Sequence, residues 1–227
     1  MHAHRTSHGR RAASSLCATL LCAALGIAGT AAQASIVDAG GDYVTGYAGS
    51  QLGDLDVLAA SAVLNTVTGD FTLSGTMAAN IGSSAGGFYV WGVDRGTGTA
   101  RFGGNGINGV LFDMVVILNA DGSGRINDLV GGLPAFVFGA GTAAISGATI
   151  SIDLDMSLLP SRGRAASDYT WNLWPRDGGQ PAGFGQISDF APDNSNFRTQ
   201  TVPEPTSALL AALSLVGLAG TARRRAG

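Results

Sequence analysis

Thr149-Ile150-Ser151-Ile152-Asp153-Leu154-Asp155-Met156-Ser157-Leu158 alternates polar and apolar side chains over five pairs. Successive residues of a β-strand point to opposite faces. The pattern therefore predicts a buried face of Ile150, Ile152, Leu154, Met156 and Leu158, and a wet face of Ser151, Asp153, Asp155 and Ser157. Phe71-Thr72-Leu73-Ser74-Gly75-Thr76-Met77 repeats the pattern over a shorter run. Phe88–Val93 and Val110–Leu118 are richer in β-branched and aromatic side chains, as central strands are. Asp54–Asn65 is ambiguous: Ala59-Ala60-Ser61-Ala62 suits a helix, whereas Val57, Val63, Thr66 and Val67 favour a strand. Ile145, Tyr169–Leu173 and Phe184–Ile187 are read as further short strands. No 10–15-residue helical pattern recurs, which argues against a parallel βαβ fold. The expectation is all-β: two antiparallel sheets packed face to face, as a β-sandwich or jelly-roll-like domain. No internal repeat supports a solenoid.

The segment Ser35–Val202 carries 15 Asp and 7 Arg, and it has no Glu, Lys, His or Cys. Lack of His and Cys removes Ser-His-Asp and Cys-His catalysis and the usual zinc ligand sets. Negative charge without a basic run argues against nucleic acid as a partner. Glycine supplies 29 of these 168 residues. The pairs Gly40-Gly41, Gly86-Gly87, Gly103-Gly104, Gly131-Gly132 and Gly178-Gly179 mark turns between strands. Apolar and aromatic stretches between them can fill one core, which weighs against disorder.

The two ends differ from this middle. Arg5, Arg10 and Arg11 precede an uncharged run from Ala12 to Val37 that includes Leu16–Leu25. Ala32-Gln33-Ala34 has the small-x-small form of a signal-peptidase site. Residues 1–34 are thus read as a signal peptide for the Sec translocon and signal peptidase, with Ser35 as the first residue retained. Cys17 and Cys22 both fall in it, so no intrachain disulfide is expected in the processed chain. Pro203-Glu204-Pro205 leads into the uncharged run Thr206–Ala222, followed by Arg223-Arg224-Arg225. Residues 206–222 are at the short edge for a membrane-spanning helix, and the arginines fit the cytoplasmic side.

This order resembles the PEP-CTERM sorting signal of bacterial envelope proteins, which an exosortase handles. The resemblance covers residues 203–227. It implies cleavage near Pro203-Glu204-Pro205 after export through the inner membrane and transient anchoring, and then a cell-surface or extracellular location. The segments Gly86–Gly96, Gly109–Asn119, Trp171–Gly178 and Phe184–Asn194 also look like those of uncharacterised exported proteins with the same tail. That likeness implies no established activity; the tail's resemblance implies association with exopolysaccharide and biofilm matrix, and neither assigns a catalytic residue.

Three places in the middle invite a site. Asn119-Ala120-Asp121-Gly122-Ser123-Gly124 has oxygen donors at alternate positions, like the start of a calcium loop, with Asn127 and Asp128 nearby. Position twelve would be Val130, which cannot close the loop, and Asp-Gly is also an ordinary hairpin signal. Calcium on Asn119, Asp121 and Asp128 and a plain turn are the alternatives; no other cofactor is expected. Asp153 and Asp155 stand two apart on one strand face, about 6.5–7 Å between side chains. That separation admits acid–base work on a glycosidic bond, and alternation alone also explains it. Tyr169–Gly178 gathers Trp171, Trp174, Arg176 and Asp177. Trp174 is expected to turn with Pro175 and offer a partly exposed ring for a sugar, and Trp91 shares the ambiguity. The resulting reading is an exported cell-surface or matrix protein, structural or weakly carbohydrate-binding and more a binder than an enzyme. The alternative is a polysaccharide hydrolase using Asp153, Asp155 and Asp177.

Overall fold

The computed structural model describes residues 36–202. The strands among them are β1 (Ile36–Val37), β2 (Val57–Asn65), β3 (Asp70–Met77), β4 (Gly87–Asp94), β5 (Met114–Asn119), β6 (Gly124–Asp128), β7 (Phe136–Phe138), β8 (Ala144–Ser146), β9 (Thr149–Asp155), β10 (Thr170–Asp177), β11 (Phe197–Arg198) and β12 (Gln200–Val202). One sheet runs β1-β2-β3-β9-β8, with β12 also on β2; the other runs β11-β10-β4-β5-β6-β7. All pairs are antiparallel except β12 with β2, which is parallel. The all-β, two-sheet expectation therefore holds.

The alternating stretch behaves as its pattern demands as far as Asp155. Ile150, Ile152 and Leu154 are buried, and Asp153 and Asp155 are exposed. The strand then stops. Asp155 Oδ1 accepts the Ser157 N–H at 2.7 Å and caps a 3-10 turn over Met156–Leu158, which leaves Met156 exposed instead of inward-facing. The ambiguous stretch is a strand, because β2 is hydrogen-bonded to β3 on one edge and to β1 and β12 on the other. A pairing partner on each side outweighs the weak helical preference of its alanines.

The inner faces of the two sheets make the main core. Phe71, Leu73, Ile150 and Ile152 come from one sheet, and Trp91, Val116, Trp171 and Leu173 from the other. Gly75 lies on this inner face of β3; a Cβ there would meet the Leu173 side chain at 2.6 Å and the Trp91 ring at 3.1 Å. The missing side chain is what lets the facing sheet approach.

A second core lies on the opposite face of the β4–β5–β10 sheet. It contains Val90, Val110, Phe112, Val115, Trp174, Ile187 and Phe190, with Phe102 and Phe184 packed against it. The loops after β4 and β10 supply Val110, Phe112, Ile187 and Phe190, so this sheet is buried on both faces. That double burial explains the unbroken apolar runs in β4 and β5. Two expected strand stretches are corrected here. Val110–Asp113 precedes β5, with Phe112 bridging only Thr99, and Phe184–Gln186 is a 3-10 turn. Both carry apolar side chains for the second core, which the sequence cannot distinguish from strand residues.

The expected turn at Trp174-Pro175 is also absent. β10 continues to Asp177, paired with β4 along its whole length. Ser188 N donates to Pro175 O at 3.2 Å. In a strand the N and C=O of one residue face the same side, so the missing proline donor faces the 184–191 segment and not the β4 ladder.

The flanking elements are corrected as well. The signal peptide at 1–34, with Ala32 and Ala34, and the tail with Pro203, Glu204, Pro205, the 206–222 helix and Arg223, Arg224 and Arg225 lie outside the described residues. Among the described residues no helix is long and apolar enough to cross a membrane. An architecture with a C-terminal membrane-anchoring sorting helix, and localisation through it, is not supported. What is supported is the all-β, two-sheet domain.

Candidate functional site

The tryptophans expected to offer a sugar platform do not. Trp174 is 1% exposed and Trp91 fully buried. The Trp174 ring lies over Gly92, where a Cβ would sit 2.3 Å from it, and packs against Phe112 and Phe102 at centroid distances of 4.8 and 5.3 Å. Arg176 stacks on Phe88, 5.7 Å from the ring centroid, and donates to Gly183 O. Asp177 is buried. Burial raises its pKa, but the Ser50 and Gly179 N–H donors at 3.0 and 2.8 Å outweigh this, and the carboxyl titrates below its ordinary value. It holds a turn and does not face solvent as an acid.

Asp153 and Asp155 stay on the solvent face of β9, in the other sheet from Asp177, so the three carboxylates do not converge. Asp153 accepts from Thr72 Oγ1 at 2.6 Å. The Ser157 N–H on Asp155 lowers its pKa, the opposite of what a proton donor needs.

The calcium-loop alternative also resolves. Asn119–Gly124 is the β5–β6 hairpin: Gly122 adopts φ +77° and donates to Asn119 O at 3.0 Å. Asp121 accepts from Ser123 N and Oγ at 2.9 and 2.6 Å. Asp128 is elsewhere, with both oxygens on arginines: Arg95 at 2.9 Å and Arg162 at 2.8 Å. Arg95 in turn holds Asp113 at 2.7 Å. The three calcium candidates therefore form no common site.

A carboxylate cluster that the sequence reading did not single out lies at another place. Asp38 and Asp42 flank the turn after β1, Asp56 precedes β2, and Asp189 and Asp193 lie in the segment alongside β10. One oxygen each from Asp42, Asp56 and Asp189 lie within 4.8 Å of one another, and the same is true of Asp38, Asp42 and Asp193. The backbone fixes the arrangement. Gly41 N donates to Asp56 Oδ2, and Val57 N to Asp189 Oδ2, both at 2.8 Å, while Phe190 N donates to Asp189 Oδ1 at 2.7 Å. Among the described residues no arginine forms an ion pair with any of the five.

Burial, then the Asp42 and Asp193 charges, raise Asp38 to about 7. Burial, with Asp38 and Asp42, raises Asp189 to about 8. A signal was present in the sequence: no Lys or Arg occurs from Ser35 to Asp94 or from Asp177 to Phe197. A pH dependence follows. Folded-state values above the unfolded range mean that the folded chain keeps protons which the unfolded chain releases. Stability is then lost as pH rises from about 4 through the folded values. In chelator, the melting temperature should fall between pH 5 and 8.5, with no histidine in Ser35–Val202 to obscure the trend. A flat or rising calorimetric profile would contradict this.

On the outer face of β4–β7 lies a shallow groove of about 340 Å³, lined by Phe88, Ile117, Asn119, Ser123, Arg125 and Val137, among others. Its residues come from strand register. Phe88 is opposite Asn119, and Ile117, Arg125 and Val137 form one cross-strand row. Beyond the reach of the covering loops, this end of the face keeps apolar side chains in contact with solvent. Val137 is 71% exposed.

No protein-family model matches the chain, nor does any curated protein or solved structure. The resemblance to the PEP-CTERM sorting family is accordingly corrected. No family model supports it, and neither the membrane helix nor exosortase handling finds support in the described residues.

Proposed function

We propose that the protein is a non-enzymatic β-sandwich that binds a carbohydrate weakly in the β4–β7 groove. The observation that carries this reading is the groove's make-up. Phe88, Ile117 and Val137 offer an apolar floor for the C–H face of a sugar ring, and Asn119, Ser123 and Arg125 offer hydrogen-bonding groups at its rim. A mostly apolar concavity with a few convergent polar groups is the usual form of a small-ligand site. Arg176, a sugar-contact candidate from the sequence, reaches the same end of the sheet through its stacking on Phe88.

Affinity electrophoresis of the full chain in gels containing neutral or uronate-bearing polysaccharides tests this reading. Retardation is expected for the wild type, and Arg125→Ala and Val137→Ser should each weaken it by about tenfold, or roughly 1–2 kcal/mol. Unretarded wild-type protein in every gel would remove the reading. A structural, self-associating role is the second reading. It is favoured by β7 lying at the sheet edge with Phe136 and Val137 exposed, since an open edge can pair with another chain. Concentration-dependent sedimentation would support it.

A further inference from the structure

We propose that Asp42, Asp56 and Asp189, backed by Asp38 and Asp193, bind a calcium ion that ties the turn after β1 to the segment alongside β10. Clustered acids alone would not support this, because exposed carboxylates often gather without an ion. Asp56 is the separate observation. It is 95% buried, since its exposure is 5%, and Gly41 N satisfies only Oδ2. Its Oδ1 is buried with no hydrogen-bond partner, as are Asp42 Oδ1 and Asp38 Oδ2. Buried polar oxygens are almost always paired, and a buried carboxylate oxygen without a donor is costly. With three such oxygens in one cluster and no arginine paired to it, the unmet need is for positive charge.

The donor chemistry selects the ion. Oxygen is the only ligand type, with no His or Cys anywhere in Ser35–Val202, and such a set favours a hard cation over zinc or copper. Oxygens within 4.8 Å of one another are close enough to share one calcium with small side-chain adjustments, since calcium ligands at about 2.3–2.6 Å stand no more than about 5 Å apart. Two triads sharing Asp42 offer more carboxylates than a magnesium site, which keeps several waters, ordinarily uses.

The position gives the ion a structural consequence. Asp56 leads directly into β2, and Asp189 holds Val57 N at the first residue of that strand. The cluster thus joins the start of one sheet to the segment that bridges the edge of the other at Leu173–Ala191. The groove on β4–β7 contains none of these residues.

The test is calorimetric titration of the full chain with calcium chloride after chelator treatment, with melting followed in parallel. Saturable binding is expected, with a rise of roughly 5–10 °C at a hundredfold excess over Kd. Asp56→Asn and Asp42→Asn should each bind at least about tenfold more weakly, since affinity follows ligand charge. The Asp42 oxygen has no hydrogen bond to lose, so Asp42→Asn should fold normally by circular dichroism even if Asp56→Asn does not. Asp153→Asn, on the opposite side of its sheet from the core, should bind as the wild type does. Three results would overturn the proposal: no calcium response in the wild type, undiminished binding in both cluster variants, or tighter binding of magnesium than of calcium.

Discussion

Arg95→Met should destabilise the domain by about 3–5 kcal/mol, the cost of leaving buried charges without their partner. Arg95 is fully buried and reaches three acceptors. Its Nε donates to Asp113 Oδ1, Nη2 to Asp128 Oδ1, and Nη1 to Pro160 O at 3.1 Å. Its own carbonyl accepts from Arg162 N and Arg164 N, so the loop ahead of β10 is organised around it. Methionine keeps most of the volume but none of the side-chain donors, which strands Asp113 Oδ1 and one oxygen of Asp128, while Asp113 Oδ2 keeps the residue-95 and Thr97 N–H groups. The triple variant Arg95→Met, Asp113→Asn, Asp128→Asn should recover part of the loss, because neutral amides remove the unpaired buried charges and keep an oxygen for the residue-95 and Thr97 N–H donors. Urea unfolding measures both. A loss under about 1 kcal/mol in the single variant would mean that the network is solvated.

Trp174→Ala should cost about 3–5 kcal/mol, close to the cost of Trp171→Ala. From the sequence the two differ, with Trp171 in the core and Trp174 at a strand end facing a ligand. The structure makes both core. Trp171 packs edge-on against Phe71 at 5.3 Å in the main core and donates Nε1 to Thr199 Oγ1 at 2.8 Å. Trp174 is the hub of the second core and has aromatic neighbours on several sides. Trp174→Ala should lower stability without a specific effect on any glycan bound in the groove. If it cost far less than Trp171→Ala, the second core would be loosely packed.

The contrast between the two tryptophans shows what the sequence could convey. Alternation in 149–155 specifies one wet face and one dry face, and that is how β9 sits. Where both faces are covered, alternation disappears. Phe88–Val93 and the apolar stretch around Phe112 then look alike, although one is a strand and the other a loop packed onto the sheet. Trp174-Pro175 read as a turn because proline usually ends pairing. Here its missing donor faces the irregular 184–191 segment, an arrangement no local pattern reveals.

The candidate acids failed for a related reason. Asp153, Asp155 and Asp177 are close in sequence or chemistry but divided between two sheets. The cluster at Asp38, Asp42, Asp56, Asp189 and Asp193 joins residues up to 155 positions apart. Their shared lack of a neighbouring cation was legible, and their convergence depends on the fold.

Backbone amide NMR of the full chain during polysaccharide titration tests the binding account most directly. Shifts concentrated at Phe88, Ile117, Asn119, Ser123, Arg125 and Val137 are the predicted result, with the indole signals of Trp91, Trp171 and Trp174 unmoved. Shifts centred on the tryptophan indoles, or none at saturating glycan, would contradict it.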